Sequence, residues 1–294
     1  LIKNENATEL NFRVERKKQL IDITVRRTYR ELSHVQYNII HDSKKYAVIT
    51  LSKFNSGVCA EISLKLDQAN KDQVSGLILD LRDNPGGQLG EASCIAGLFL
   101  GKNKKAYYVE YFDEKKSNEV VLTSDEKIFD GPMVVLVNSF SASASELLAG
   151  GLQDYKRALI VGERTYGKGT FQEPQEWALK SKVSLFKTQG IYLLPSRNST
   201  QLSGVKPDVV LNLEQDTRRE EVAYFRPVQA EPRKDYKLRN SEIEKEFSYS
   251  SCKVDHVSAY AEDAYIHQGL KYLDCVQKTE INIAQADPKN SKLQ

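Results

Sequence analysis

Residues 133–152, MVVLVNSFSASASELLAGGL, decide the fold because their pattern changes from strand to helix within a few positions. The apolar run Met133–Val137 is typical of a buried strand, and the leucines of 147–152 recur at helical spacing. Between them lies a small-residue run, 141–146, with three serines. Because a helix N-terminus offers free backbone N–H groups and a partial positive charge, this turn suits an exposed nucleophile. Small residues in such a turn can equally be caps and close-packing devices.

Strand and helix patterns alternate on both sides of this turn. The predicted strands are apolar or alternating runs at 46–54, 76–80, 133–137, 158–162, 176–185 and 188–194. The predicted helices are at 61–69, 91–100, 147–152 and 263–277. Strands that alternate with helices predict an α/β fold in which helices cover a parallel or mixed sheet.

The two flanking regions have different patterns. Residues 1–32 alternate apolar and polar on either side of Lys17 and Lys18, which predicts a β-hairpin from a small β domain. Residues 214–250 are charged and poor in pattern, which predicts a linker or surface wrap before the terminal helix. We therefore divide the chain into a β segment at 1–32, a core at 33–213 and a charged extension at 214–294.

Bulk properties exclude some function classes. The 294 residues carry a net charge of +2, which gives no electrostatic footprint for nucleic acid. No apolar run reaches the length of a membrane span, and no signal peptide is recognisable. Because the chain begins at Leu1 without a methionine, we take it as processed or truncated, and the missing signal says little about compartment.

The four cysteines include no CxxC pair, and we expect neither a structural metal nor a cofactor. Cys59 and Cys94 lie in apolar surroundings and are expected to behave as small hydrophobes. Cys252 and Cys275 flank a polar tail and are the better disulfide candidates. A disulfide needs Cα atoms within about 7 Å. If the terminal helix starts near residue 263, the chain from Cys252 can reach Cys275 within this distance. If a straight helix starts at 258, it cannot.

Three loops contain groups suited to acyl transfer. The first follows the strand Gly76–Asp80 and ends in Gly86 and Gly87, whose N–H groups can hold an anion. The second is the serine turn, and the third places Lys168 between two glycines. Because ligand sites form at the carboxyl ends of adjacent strands, we expect the three loops to converge. Burial lowers the pKa of a lysine, which can then accept a serine proton, and no histidine lies in these loops.

Five motifs resemble those of the carboxyl-terminal processing proteases, also called tail-specific proteases. They are LDLRDNPGG at 79–87, VNSFSASASE at 137–146, LQD at 152–154, VGERTYGKG at 161–169 and GVKPD at 204–208. The motifs occur in the family's order and cover 46–212 well. The resemblance implies a crotonase-like core of the ClpP/crotonase type, with a mixed sheet covered by helices, and a serine peptidase with a Ser–Lys dyad.

The same resemblance implies roles for individual residues. Ser143 would be the nucleophile and Lys168 the base. Gln172, four positions after the lysine, matches the family residue that orients it. The backbone N–H groups of Ala144 and of Gly86 or Gly87 would form the oxyanion hole.

Five further positions have smaller expected roles. Asp154 matches an acidic family position, and we favour a structural helix-end group over catalytic support. Ser141 and Ser145 are expected to be caps or packing residues, and Glu146 to complement the helix N-terminus. The family usually has a glycine after the Pro-Ser of its late strand, where this chain has Arg197, so the local turn departs from the pattern.

Residues 1–32 resemble the closing strands of a PDZ domain, and we interpret them as its remnant. In the family this domain precedes the core and captures the substrate's C-terminal carboxylate by strand addition. The implied function is an endopeptidase that cleaves proteins with exposed C-termini in or near their C-terminal region. The implied compartment is the periplasm or another extracytoplasmic space. An adaptor protein and a homo-oligomer are compatible with the resemblance, and nucleic acid is not an expected partner.

Two other classes of function stay open. One is a catalytically silent or regulated binding or scaffold protein on the same fold, since a fold alone does not give activity. The presence of Ser143, Lys168 and Gln172 together argues against it. The other is a crotonase-like enzyme that transfers acyl groups from thioesters, which the absence of an evident nucleotide-binding loop disfavours.

Overall fold

The computed structural model describes residues 8–26, 33–174, 185–211, 228, 247, 249–255 and 263–286. The chain divides into two compact units, Leu1–Ser33 and His34–Gln294. The described part of the first unit is an antiparallel hairpin of β1 (Glu9–Arg16) and β2 (Gln19–Arg26). One hairpin face carries the apolar cross-strand pairs Leu10–Val25, Phe12–Ile23 and Val14–Ile21. The predicted hairpin is therefore confirmed.

The second unit alternates strands and helices. Its described strands are β3 (Val35–His41), β4 (Lys45–Leu51), β5 (Gly76–Asp80), β6 (Lys105–Tyr111), β7 (Glu119–Leu122), β8 (Met133–Val137), β9 (Leu159–Gly162), β10 (Thr170–Pro174), β11 (Phe186–Leu193) and β12 (Val209–Val210). Its described helices are α1 (Val58–Lys71), α2 (Leu89–Leu100), α3 (Ala144–Asp154) and α4 (Ala264–Ala286). This order gives the expected α/β fold.

The strands form two sheets. Six lie in the order β12-β9-β8-β5-β4-β3, and all neighbours are parallel except the antiparallel pair β3 and β4. The second sheet is antiparallel, in the order β10-β11-β6-β7. The main sheet is therefore mixed, as predicted.

The main sheet is buried on both faces, which explains the unbroken apolar runs of β5 and β8. Successive side chains of a strand point to opposite faces. Leu77 and Leu79 of β5 accordingly join the core formed with α1, α2 and α3. Ile78 joins a second core, which includes Leu270 and Leu273 of α4.

Helix α4 belongs to the extension at 214–294, yet it packs directly on the main sheet. A Cβ added at Gly76 would lie 3.1 Å from Cδ2 of Leu273. At the start of the helix, Asp263 accepts two hydrogen bonds from the Arg82 guanidinium, at 2.9 and 2.8 Å. Among the described residues, none of the helices has both the length and the apolarity needed to cross a bilayer.

The structure has a disulfide between Cys252 and Cys275, with the two Cα atoms 6.0 Å apart. Helix α4 begins at Ala264, which is the later start that this bond requires. The expectation that Cys59 and Cys94 are small hydrophobes is wrong, because they form a second disulfide with a Cα–Cα distance of 6.1 Å. Both cysteines lie where α1 and α2 pack together, and their apolar surroundings gave no sign of the pairing.

Several strands were not predicted. The sequence prediction contained no strand at β3, β6, β7, β10 or the two-residue β12. The patterns of β3, β6, β7 and β10 mix apolar with polar or charged residues. The strand predicted at 188–194 corresponds to β11, which pairs with β10 on one side and β6 on the other. The strand predicted at 176–185 falls outside the described residues, apart from Leu185.

Candidate active site

The loops that follow β5, β8 and β9 meet at one edge of the main sheet, because these strands are parallel neighbours. Hydrogen bonds join the loops directly. The Ala142 N–H donates to Asn84 O at 3.0 Å, and the Tyr166 N–H donates to Ser141 O at 3.0 Å. The predicted convergence of the three loops is therefore confirmed.

Ser143 is the N-cap of α3 and has a φ of 58°, the left-handed region that a serine rarely adopts. Backbone strain of this kind is found at sharp functional turns. The flanking serines fix the turn to the neighbouring loop. Ser141 Oγ donates to Leu81 O at 2.8 Å, and Ser145 Oγ donates to Asn84 O at 2.9 Å. They therefore have the packing roles that the sequence suggested.

The glycine loop after β5 lies against the turn at Ser143. A Cβ at Gly86, which has a φ of 95°, would lie 2.8 Å from Ser143 Cβ and 2.9 Å from Ala144 N. The Gly86 N–H already donates to Asn84 Oδ1 at 2.9 Å. Within the described part of the chain, the N–H groups of Gly87 and Ala144 have no acceptor. Of the two glycines considered for the oxyanion hole, Gly87 is therefore the one with an available donor.

Lys168 follows β9, and its amine is held by the strand that comes next. Nζ donates to Gln172 Oε1 at 2.9 Å and to Thr170 O at 3.4 Å. The amide of Gln172 donates in turn to Thr170 Oγ1 at 3.2 Å and to Thr188 Oγ1 at 3.4 Å. A register shift between Phe171 and Gln172 interrupts the β10–β11 pairing at this point. Bulges of this kind often re-aim a side chain near a site, and here Gln172 reaches the lysine.

Glu146 connects the turn at Ser143 to the loop that contains Lys168. Its Oε2 accepts the N–H groups of Ser143 and Lys168, each at 2.8 Å. Its Oε1 accepts the Gly167 N–H at 2.7 Å and the Thr165 hydroxyl at 2.6 Å. The residue has no exposed surface. Burial raises its pKa to about 7, although all four donors lower it.

The role of Glu146 was underestimated from the sequence. Its position three residues after Ser143 indicates an N-terminal capping residue. That part is correct, because the carboxylate accepts the N-cap N–H. The contacts with Gly167 and Lys168 lie about twenty positions away and leave no local pattern. One signal was available in the sequence. Glu146 lies in an apolar, small-residue run with no neighbouring Lys or Arg, and a buried glutamate needs partners from elsewhere in the chain.

Asp154 lies at the opposite end of α3 from Ser143, roughly 16 Å along the helix axis. Its carboxylate accepts the N–H of Ser196 at 2.8 Å and so fixes the turn after β11. Burial raises the pKa of Asp154 to about 6. In that turn Arg197 has a φ of 61°, and its guanidinium lies 4.4 Å from the centre of the Tyr108 ring. These contacts favour the structural interpretation of Asp154.

One close group of metal-ligand side chains is found among the described residues, namely Cys59, Cys94 and Asp125. Its two sulfur atoms are bonded to each other, so they are not available as thiolate ligands. This cluster is separate from the three loops described above.

The site therefore has the parts of a serine-nucleophile acyl-transfer site: a strained serine at a helix N-terminus, two available backbone donors and a lysine amine. The family model for peptidase family S41 matches residues 45–211, which contain all of these groups. The chain belongs to peptidase family S41.

Curated relatives support the same placement. The chain is 33% identical over 214 residues to a probable CtpA-like serine protease of Staphylococcus aureus, covering 72% of this chain and 42% of the relative. The corresponding protein of Staphylococcus saprophyticus is 31% identical over 207 residues, covering 70% and 41%. The chain thus spans about two fifths of the length of these relatives.

Solved structures show a similar fold. The photosystem II D1 C-terminal processing protease matches with a TM-score of 0.55 and 29% identity, covering 66% of this chain and 52% of that one. A putative S41 protease from Bacteroides fragilis matches with a TM-score of 0.54 and 18% identity, covering 69% and 59%. At that identity, the second match supports the fold alone.

Proposed function

We propose that this protein is a serine endopeptidase that uses Ser143 and Lys168 as a catalytic dyad. The observation that carries the proposal is the carboxylate of Glu146, one oxygen of which binds the N–H groups of both residues. Gln172 holds the lysine amine at 2.9 Å. A purely structural role for Glu146 would not require its carboxylate to bind the backbone of both the proposed nucleophile and the proposed base.

The proposed reaction proceeds through an ester on Ser143. Neutral Lys168 accepts the hydroxyl proton while Oγ attacks the scissile carbonyl carbon. The Gly87 and Ala144 N–H groups stabilise the oxyanion that forms. When the C–N bond breaks, the lysine proton passes to the leaving amine. Water then attacks the ester with Lys168 again as the base, which frees the new carboxylate and restores the serine.

The proposed substrates are proteins with exposed C-termini, cleaved in or near their C-terminal region. Support comes from the resemblance of the motifs to tail-specific proteases and from the similarity to the photosystem II D1 C-terminal processing protease. We further propose that the core is crotonase-like and that residues 1–32 are the closing strands of a PDZ domain that captures the substrate tail. An adaptor protein and a homo-oligomeric assembly belong to the same proposal.

The proposed compartment is the periplasm or another extracytoplasmic space. Disulfides persist where the surroundings are oxidising. The pairs Cys59–Cys94 and Cys252–Cys275 both have bonding geometry. Mass spectrometry of the protein purified without reductant tests this point, and free thiols at all four positions would contradict it.

Cleavage of a disordered protein, such as casein, tests the proposed activity. Wild type is expected to release fragments and Ser143→Ala to release none. A folded wild type that binds casein without cleaving it would favour the scaffold alternative. Hydrolysis of a thioester with no cleavage of casein would favour the acyl-transfer alternative. Two casein-derived peptides that differ only in a free or amidated C-terminus test the preference for C-terminal tails.

A further inference from the structure

Tyr192 places its hydroxyl between the two residues of the proposed dyad. The oxygen lies 2.6 Å from the Lys168 carbonyl oxygen and 3.0 Å from the Ser143 carbonyl oxygen. Thr200 Oγ1 donates to the same hydroxyl at 2.9 Å. Tyr192 has no exposed surface, so this hydroxyl cannot exchange these partners for solvent without local opening.

A tyrosine hydroxyl has one proton and can donate it to one carbonyl at a time. The Ser143 carbonyl already accepts the Leu147 N–H at 2.9 Å in the first turn of α3. The contact with the Lys168 carbonyl is the shorter of the two. We therefore assign the proton to the Lys168 carbonyl, with the Ser143 carbonyl in close contact with the same oxygen.

The backbone of Tyr192 is also fixed. It lies opposite Val109 of β6, near the end of β11, which is an inner strand of the second sheet. Its N–H donates to the Gly169 carbonyl at 2.9 Å. The Gly169 N–H in turn donates to Gln201 Oε1 at 2.8 Å. A rigid strand thus holds the lysine loop at two successive carbonyl groups.

We propose that Tyr192 is a positioning residue that sets the distance between Lys168 and Ser143. Glu146 binds the N–H side of the two residues, and Tyr192 contacts their carbonyl side. The inference rests on the proposed dyad and deepens it. Without the hydroxyl, the lysine loop keeps its Glu146 contacts and the Tyr192 N–H bond to Gly169, but it loses the bond to the Lys168 carbonyl. The amine is then expected to move relative to Ser143 Oγ.

The test compares two tyrosines that each bury a hydroxyl bonded to backbone. Tyr192→Phe deletes the hydroxyl in the site. Tyr155→Phe is the matched control, because Tyr155 is 1% exposed and its hydroxyl bonds the backbone of Lys105 far from the dyad. Thr200→Val is a second variant, which removes the donor to Tyr192 and keeps the tyrosine itself.

Two measurements are made on the full chain, namely casein cleavage and hydrogen exchange of the 167–169 amides. For Tyr192→Phe we expect kcat to fall at least about tenfold, with KM changed by less than about threefold. We expect the 167–169 amides to exchange at least about tenfold faster. Thr200→Val should change both in the same direction and by less, and Tyr155→Phe should change neither.

Unchanged exchange of these amides in Tyr192→Phe overturns the proposal, and so does a wild-type kcat in that variant. Equal losses in Tyr155→Phe also overturn it, because they would reflect a general cost of losing a buried hydroxyl. If wild type does not cleave casein, the proposed function fails instead. Hydrogen exchange then still decides whether Tyr192 holds the lysine loop.

Discussion

The two ends of α3 each carry a carboxylate whose pKa burial raises, to about 7 for the fully buried Glu146 and to about 6 for the half-buried Asp154. At the N-terminal end, Glu146 accepts four hydrogen bonds from two segments that the chain separates widely. At the C-terminal end, Asp154 fixes the turn at Ser196. The same chemical group therefore binds both residues of the proposed dyad at one end and fixes a surface turn at the other.

This difference shows that a perturbed pKa does not by itself identify a functional residue. Both carboxylates are shifted in the same direction and for the same cause. What separates them is the identity of their donors, because only Glu146 binds the N–H groups of Ser143 and Lys168. Four experiments test this contrast.

The largest loss of activity should follow substitution of Ser143 or Lys168, the two residues that Glu146 binds at the N-terminal end of α3. Ser143→Ala and Lys168→Ala should each reduce kcat at least ~10⁴-fold, and the double variant should be no worse, since the pair acts as a unit. Lys168→Arg should also be inactive, because arginine stays protonated. Thermal unfolding near the wild-type temperature serves as the control. Casein cleavage by Lys168→Ala at neutral pH would rule out the dyad.

Matched amide substitutions compare the two ends directly. In Glu146→Gln one oxygen becomes an NH₂ group that faces backbone N–H donors, so kcat should fall about 100-fold. In Asp154→Asn the remaining oxygen can still accept the Ser196 N–H. Its kcat should stay within about twofold and its stability within about 1 kcal/mol. Steady-state kinetics and urea unfolding measure both, and equal losses of kcat would remove the distinction between the ends.

The pH dependence should separate stability from activity at Glu146. Its folded pKa of about 7 lies above the ordinary value of 4.5, so the folded state binds the proton more tightly than the unfolded state. The contribution to stability is therefore fully present below pH 4.5 and is lost as the pH rises through about 7. Activity should change in the opposite direction, because the ionised carboxylate is the acceptor for four donors.

Urea unfolding between pH 5 and 8 checks this prediction, with Glu146→Gln as the control that lacks the titrating group. The variant should show a flatter dependence of stability on pH than wild type. Identical slopes for the two proteins would contradict the assignment. Activity that falls above neutral pH, while the protein stays folded, would count against both Glu146 and a neutral lysine base.

The smallest effect concerns the turn that Asp154 fixes. Arg197 has a φ of 61°, which costs an L-residue of this size about 1 kcal/mol relative to glycine. Arg197→Gly removes that strain and also removes the contact with the Tyr108 ring, worth about 0.5–1 kcal/mol. The two effects oppose each other, so stability should change by less than about 1 kcal/mol and kcat by less than about twofold. A tenfold loss of kcat would extend the site to this end of α3.

The sequence predicted some parts of the fold well, for identifiable physical reasons. The bounds of β5 and β8 agree with the predicted 76–80 and 133–137, because strands buried on both faces are continuous apolar runs. The convergence of the three loops followed from the parallel order of strands. The first follows from the local sequence pattern and the second from the order of the strands, and both can be read from one sequence.

Other parts depend on contacts that leave no local pattern. The Cys59–Cys94 bond requires the packing of α1 against α2, which the sequence does not reveal. Tyr192 appears in the sequence only as one more strand aromatic, and its hydroxyl contacts arise from the sheet register. The choice of Gly87 over Gly86 depends on a single hydrogen bond, which the Gly86 N–H donates to Asn84 Oδ1. These features are decided by three-dimensional contact.

The position of α4 matters for anyone who prepares shortened versions of this protein. Residue 213 is a natural place to cut if the sequence pattern alone is considered. A chain ended there would lose α4 and uncover the sheet face of Ile78, Val134 and Leu136, all fully buried with it in place. We expect such a fragment to precipitate on expression, and a soluble preparation to need residues through the end of α4 at Ala286.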